Sequence, residues 1–328
     1  MTNINSIESQ SGSSAMDRVK QVFRMDAIGI LIALIVLCAA ITIVAPHFLS
    51  GYNLTVLTRQ ASFVGLIALG QTLVLLIGGI DLSVGANSAL SAVVGALLLT
   101  MYGVNPYLVI PLTMAFGMFL GLINGAIIAN MRLSPFIVTL ATWEIFAGLN
   151  LVITEGYPVR PLGAEFNWFG QASILGLPIP VLTFLLVAVI LTWALGYTRF
   201  GRNIYSIGGN RTAAILVGIR VARVELFVYG ISGMLAALAG ILYASRMDSA
   251  QPSVGEAWLM PAITAAIIGG TSLSGGQGTI VGTVLGTLLM AALSNGMSLL
   301  NVSGFWERVV VGGVVLIAVL IDFIRRRR

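Results

Sequence analysis

A chain of 328 residues that is 58% hydrophobic and only 9% charged, with mean hydropathy +1.00, is not a water-soluble globular protein, where about a quarter of residues carry charge. One cysteine (Cys38), one histidine (His47) and one lysine (Lys20) exclude a disulfide framework, a Cys/His metal cluster and a lysine-dependent phosphate loop. The net charge of +5 comes from arginines at the edges of apolar runs, which reads as a membrane orientation signal and not as a nucleic-acid footprint.

Residues 1–26 are polar and Ser/Asn-rich, ending in Arg18, Lys20 and Arg24, and read as a loosely ordered cytoplasmic tail. The apolar run 27–45 is too long for a signal-peptide core and lacks a small-residue cleavage site, so it is a retained first span. Residues 54–79 make the second span. Residues 82–131 contain no charge and are too long for one crossing; Tyr102-Gly103-Val104-Asn105-Pro106 divides them into two. Residues 133–154 form a fifth span interrupted by Glu144, and 155–178, with three prolines and Trp168, form an exterior loop with room for a short interfacial helix. Residues 179–196 and 226–245 follow as the sixth and seventh spans. Residues 257–306 are again uncharged and are divided at Leu273-Ser274-Gly275-Gly276-Gln277-Gly278, and 309–324 complete the set. The expected fold is therefore an all-α polytopic membrane protein of about ten transmembrane helices with broken helices and an internal repeat. It has a tail at 1–26, a membrane domain at 27–324 with an inner loop at 197–224, and a basic cytoplasmic C-terminus at 325–328.

With the N-terminus inside, alternate loops place 13 Lys and Arg residues on the inner side and 4 on the outer. Both termini are then cytoplasmic, and the four terminal arginines lie where anionic lipid attracts them.

The repeat is carried by Ile77-Gly78-Gly79-Ile80-Asp81-Leu82-Ser83-Val84-Gly85, which recurs from Ile268 to Gly276 at an offset of 191 with six of nine positions identical. A Gly-Gly pair that interrupts a helix at membrane depth is tolerated only inside protein or beside a cavity, which points to a transporter. Leu273-Ser274-Gly275-Gly276-Gln277 also spells the signature pentapeptide of ABC-type ATPases. Without a phosphate loop, and with the only lysine in the tail, it is not a nucleotide site here.

Several polar residues stand out against the apolar background. Asp81 is either a functional intramembrane acid or a cap for the amides of Ser83 or Val84 at a helix starting at Leu82. Glu144 lies mid-span as a proton-coupling acid, a polar contact to solute, or an acid bonded to a neighbouring helix. Asn124 sits among Gly117, Gly121 and Gly125, on a face that permits close helix packing. With Asn87, Thr139 and Asn150 these are the candidates for a translocation path. The inner loop presents Gly208-Gly209, then Asn210 as an N-cap, then a short Ala-rich helix closed by Gly218. Such a helix suits a cytoplasmic partner or lipid headgroups about equally.

Gly201-Arg202-Asn203-Ile204-Tyr205, Gly208-Gly209-Asn210-Arg211-Thr212-Ala213-Ala214 and Gly218-Ile219, together with the two repeated Gly-Gly stretches, resemble ribose-type sugar permeases of ABC importers. The resemblance implies a subunit of the bacterial plasma (inner) membrane that works with a second copy of itself, a cytoplasmic ABC ATPase that holds ATP-Mg, and an external sugar-binding protein. No cofactor and no catalytic residue are expected in this chain, and lipid is its only other partner. By the same resemblance Gly208, Gly209, Asn210, Arg211, Ala213, Ala214, Gly218 and Ile219 contact the ATPase, and Gly156, Tyr157 and Pro158 face the binding protein. The chain departs from the family pattern at Ala147, where many relatives carry arginine, and it has an acid at Glu144. The rival reading is an ion-coupled carrier working through Asp81 or Glu144. A membrane-embedded enzyme lacks an evident nucleophile and base.

Overall fold

The computed structural model describes residues 15–326, with side chains from Ile28 to Leu320 apart from Ala318. Thirteen helices follow in chain order: α1 (Ala15–Val44), α2 (Gly51–Leu76), α3 (Val84–Thr100), α4 (Pro106–Met131), α5 (Pro135–Thr154), α6 (Ala164–Gln171), α7 (Ile179–Tyr197), α8 (Arg199–Gly209), α9 (Arg211–Leu216), α10 (Val221–Met247), α11 (Glu256–Ile268), α12 (Ile280–Leu299) and α13 (Gly304–Arg326). A two-stranded hairpin, β1 (Ser173–Ile174) with β2 (Leu177–Pro178), lies between α6 and α7.

Each of the ten apolar segments falls on one helix. Six of them (α2, α4, α5, α7, α10 and α12) are long and apolar enough to cross a membrane on their own. The chain is a multi-pass membrane protein. Boundaries differ from expectation where charged residues join a helix. α10 begins at Val221 rather than 226 because Arg223 and Glu225 lie on its first turns. α1 begins at Ala15, so the helix of the first span takes in the second half of the segment expected as a tail, where Met, Arg, Lys, Gln and Val are compatible with helix. The remainder of the tail, residues 1–14, and the last two arginines lie outside the described residues.

The centre of the bundle is α2 against α10, with 83% and 72% of their apolar windows buried, whereas α5 has only 28%. α10 lies closest to α4. A Cβ on Gly121 would overlap the Tyr229 carbonyl, and one on Gly125 would lie 2.8 Å from the Leu226 Cα. Those two glycines, four apart, let the backbones touch, which is how membrane helices gain packing without a hydrophobic driving force. α2 is joined to α12 by Thr72 and Thr283, whose buried hydroxyls are 2.7 Å apart.

Both Gly-Gly breaks end their helices in the same way. Gly78 (φ 79°) donates to Leu75 O at 2.8 Å while Gly79 donates to Val74 O at 3.0 Å. Gly270 (φ 85°) donates to Ile267 O at 2.9 Å while Thr271 donates to Ala266 O at 3.0 Å. A left-handed residue after the helix satisfies the last carbonyls, and glycine takes that conformation without a Cβ penalty. The equivalence therefore pairs Gly78 with Gly270, one residue off the register of the sequence identity. It is also local. Val84 and Gly85 are already in α3, whereas Gly275 and Gly276 sit in a turn at φ 86° and 74° before α12 begins.

Candidate functional site

The inner loop is ordered throughout. Thr198 opens α8 by accepting the Gly201 amide on its hydroxyl at 3.3 Å, and α8 buries Ile204 and Ile207 on one side. The Tyr205 hydroxyl donates to Gly278 O at 2.9 Å, which fixes α8 against the connection between α11 and α12. Asn210 caps α9 by accepting the Ala213 amide at 2.9 Å. Gly218 ends it in the left-handed region, with Gly218 donating to Ile215 O and Ile219 to Ala214 O, each at 3.0 Å. Ala214 points inward. The far side of α9 and its exit carry Ile215, Leu216 and Val217, exposed by 55%, 82% and 77%, with Arg211, Arg220 and Arg223 around them. Three adjacent exposed aliphatic residues ringed by arginine are what a docking surface presents.

Three Gly-Gly pairs distant in sequence meet behind this loop. The Leu76 carbonyl, left without a helical partner at the end of α2, accepts the Gly276 amide at 2.9 Å. Gly208 packs directly on that contact: a Cβ there would overlap Leu76 O and lie 3.0 Å from the Gly276 Cα. A Cβ on Gly275 would lie 2.9 Å from the Gly78 amide nitrogen and 3.0 Å from the Gly208 Cα. The ATPase-like pentapeptide is thus a turn whose glycines receive the end of α8. Gly209, next to Gly208, faces open space.

Asp81 stands just beyond this junction and is 1% exposed. Its Oδ1 accepts the Ser83 amide at 3.0 Å and the Ser83 hydroxyl at 2.6 Å, and Oδ2 accepts the Ser232 hydroxyl of α10 at 3.3 Å. Asn124 of α4 donates to Ser83 Oγ at 2.8 Å, and Thr139 of α5 donates to Ile80 O at 3.2 Å. With its amide oriented to suit its partners, Gln71 of α2 exchanges two 3.2 Å hydrogen bonds with the Asp81 backbone. Helix α3 starts at Val84, two residues later than expected, and the carboxylate serves that start through Ser83. Asn87 donates to Gly117 O at 3.1 Å and Asn150 donates to Pro252 O at 2.6 Å, so both tie helices to neighbouring backbone. Asp81, Asn87, Asn124, Thr139 and Asn150 are all buried, whereas Glu144 is exposed on the outer side of α5. The five buried residues sit within the helix packing, and three of them converge on one node.

Sequence reasoning did not find the partner of Arg211. Its guanidinium pairs with Glu225, 3.2 Å separating Nη2 from Oε2, and the Glu225 side chain is 4% exposed. On α10, Glu225, Tyr229 and Ser232 follow at i, i+4 and i+7 and share one face. Glu225 holds the start of α9, Tyr229 presses its hydroxyl end against Gly79, and Ser232 reaches Asp81. That polar stripe in an apolar helix was the available signal. α8 itself was read as loop because arginines and paired glycines mask its buried Ile204 and Ile207.

At the opposite end of the bundle Asp248, just past α10, accepts the Asn167 side chain and the Leu162 amide at 2.8 Å each, and the Gly163 amide at 3.3 Å. The Asn167 amide first, then the Leu162 and Gly163 backbone amides, hold its carboxyl below the usual carboxylate range. Val159 and Ala250 exchange backbone hydrogen bonds at 3.0 Å. Gly156, Tyr157 and Pro158 are all exposed, ahead of this anchored stretch. Among the described residues no three His, Cys, Asp or Glu side chains are placed to hold a metal ion.

Residues 53–320, spanning both Gly-Gly breaks, the α8–α9 loop and all of α10, match the family described as branched-chain amino acid transport system / permease component. The chain belongs to this permease family. It is a transport subunit, not an enzyme. The ribose import permease protein RbsC of Bacillus subtilis is 48% identical over 300 residues, covering 91% of this chain and 93% of the relative. The ribose import permease of Escherichia coli K12 is 41% identical over 296 residues, covering 89% and 92%. The D-allose transport system permease protein AlsC of the same strain is 40% identical over 299 residues, covering 90% and 91%. No solved structure matches the chain.

Proposed function

We propose that this chain is the membrane-spanning subunit of an ATP-driven importer for a monosaccharide or related small polyol. In this reading it crosses a bacterial inner membrane ten times with both termini cytoplasmic, and it works as a pair with a second copy. A cytoplasmic ABC ATPase, which itself binds and hydrolyses ATP-Mg, docks at α9, and an external sugar-binding protein docks near Gly156, Tyr157 and Pro158. The sugar permeases among its relatives support the substrate class, and the 13 to 4 asymmetry of Lys and Arg supports the orientation.

The observation that carries the coupling role is mechanical. The exposed tip of α9 is linked to the Asp81 node by two routes: Arg211 through Glu225 and the shared face of α10, and Gly208 through the ends of α2 and α11. Packed contacts of this kind move as rigid bodies between discrete arrangements, so a partner that shifts α9 shifts the breaks. The residues contribute geometry rather than bond chemistry.

The test is reconstitution with candidate ATPase and binding-protein partners in proteoliposomes. Sugar-loaded binding protein stimulates ATP hydrolysis, and Leu216→Asp on the α9 tip abolishes stimulation while the purified subunit stays folded. Uphill sugar uptake by the purified chain alone would overturn the proposal.

A further inference from the structure

α10 has two opposite sides. Glu225, Tyr229 and Ser232 line the buried one. Arg220, Arg223, Phe227, Ile231 and Met234 follow one another at steps of three and four residues on the other, at about 3.6 residues per turn. Gly230 and Gly233 meet α4, and Gly240 meets the backbone of Ser88 on α3, so those neighbours approach from elsewhere around the helix. Arg220 and Arg223 are exposed, Phe227 is 49% exposed, and Ile231 and Met234 are half-buried. A basic head followed by an apolar strip is thus the open side of an otherwise buried helix.

At the head of this strip lies a cavity of about 380 Å³ between α8, the exit of α9 and the start of α10, lined by Asn203, Val217, Arg220 and Arg223 among others. Among the described residues the only ion pair is Arg211 with Glu225, so both guanidinia at the cavity are without a carboxylate partner. Among those residues no side chain caps the start of α10, and its free amides add partial positive charge at the same place. Two planar guanidinium forks beside an amide match the oxygens of a phosphate group. Phe227 is four residues past Arg223, about 6 Å deeper along the apolar segment. A free phosphate would fill the head alone, and a soluble protein approaching from water would not reach the depth of Phe227. A phospholipid fits both parts.

We propose that this cavity holds the headgroup phosphate of an anionic phospholipid, gripped by Arg220 and Arg223 with Asn203 beside them, while an acyl chain lies along Phe227, Ile231 and Met234. The orientation proposed above makes it a lipid of the inner leaflet, where anionic headgroups attract basic side chains. The site closes on the exit of α9 and begins the helix that carries Glu225, so the bound lipid braces the α9–α10 connection from the membrane side.

The experiment titrates the purified full chain in neutral detergent micelles with phosphatidylglycerol, reading the thermal unfolding midpoint and counting retained lipid by native mass spectrometry. The parent retains one phosphatidylglycerol per subunit and gains stability. Arg220→Gln with Arg223→Gln needs at least about tenfold more lipid for half the shift, the worth of the lost charge-assisted bonds. Arg220→Lys with Arg223→Lys falls between the two, and Arg199→Gln, exposed on α8 and away from the cavity, behaves as the parent. Phe227→Ala leaves the cavity intact and still weakens the lipid, which keeps the test open if the double glutamine variant does not fold. Unchanged lipid affinity in the folded double glutamine variant would overturn the inference. Inorganic phosphate giving the same shift as the lipid would overturn it in favour of a free anion, and loss of the retained lipid on adding a candidate ATPase would assign the arginines to that protein instead. The titration needs neither ATP nor sugar, so its failure is separate from failure of the importer reading.

Discussion

Gly208 and Gly209 are adjacent, both lie in the last turn of α8, and the structure gives them opposite fates on substitution by alanine. A methyl on Gly208 would overlap Leu76 O and crowd the Gly276 backbone, whereas a methyl on Gly209 meets nothing within 4 Å. Overpacking of this kind costs about 1–3 kcal/mol. If α8 moves away to relieve it, the hydrogen bond from Gly276 to Leu76 O weakens, with a further loss of about 1 kcal/mol. The gain from replacing a helical glycine, at most about 1 kcal/mol and less at a helix end, offsets part of this. Gly208→Ala should therefore lose about 1–3 kcal/mol, and Gly209→Ala should be neutral or gain a few tenths. Equilibrium unfolding in mixed micelles measures the difference, and proteoliposome assays measure its consequence. Gly208→Ala retains basal ATP hydrolysis by the partner but loses sugar uptake, and Gly209→Ala retains both. Equal stability of the two variants, or a larger loss at Gly209, would refute the packing of three Gly-Gly pairs at one junction.

Arg211→Ala leaves the buried Glu225 carboxylate unpaired and should cost about 2 kcal/mol, short of the 3–5 expected for a fully buried pair because the Arg211 side chain is 49% exposed. Adding Glu225→Gln to it should restore part of that stability, and a double variant less stable than Arg211→Ala would contradict a penalty from an unpaired Glu225 carboxylate. Asp81→Ala deprives Ser83 and Ser232 of their acceptor and should lose about 3 kcal/mol in detergent unfolding, with Asp81→Asn falling between it and the parent; the reverse order would contradict the node. Asp248 has its carboxyl held below the ordinary value of about 3.9, so its contribution is complete above that value and is lost as pH falls through the lower folded value. A spin label on Tyr157→Cys in the Cys38→Ser background should thus become more mobile below about pH 4, and the transition should vanish in Asp248→Asn.

Hydropathy and charge placed every apolar helix because both follow from local composition. The boundaries moved where a charge has a remote partner: Glu225 looked like the end of a loop, yet it is inside α10 because Arg211 neutralises it from α9. Similarly, Ile204 and Ile207, three residues apart, marked the buried side of α8, but Arg199, Arg202 and two glycines hid it. Ser232 of α10, which donates to Asp81, and Asn124 of α4, which donates to Ser83, lie 151 and 41 residues from the groups they bind, and nothing in a single sequence pairs them. The repeat shows the limit of identity as a guide to geometry. The matched Ile-Gly-Gly triplets differ by one residue in which glycine takes the left-handed position, because that choice depends on where each helix stops rather than on the triplet.

The end of a central membrane helix usually needs water or a side chain for its last carbonyls. For Leu76 of α2 a backbone amide from the connection after α11 fills that place, and α8 covers it. The junction therefore excludes side chains at Gly208, Gly275 and Gly276, and the three segments can separate only together. The paired glycines are thus better understood as a hinge closed by backbone contact than as flexible linkers. Their permissive φ values explain the turns, and the missing side chains explain why the turns can touch.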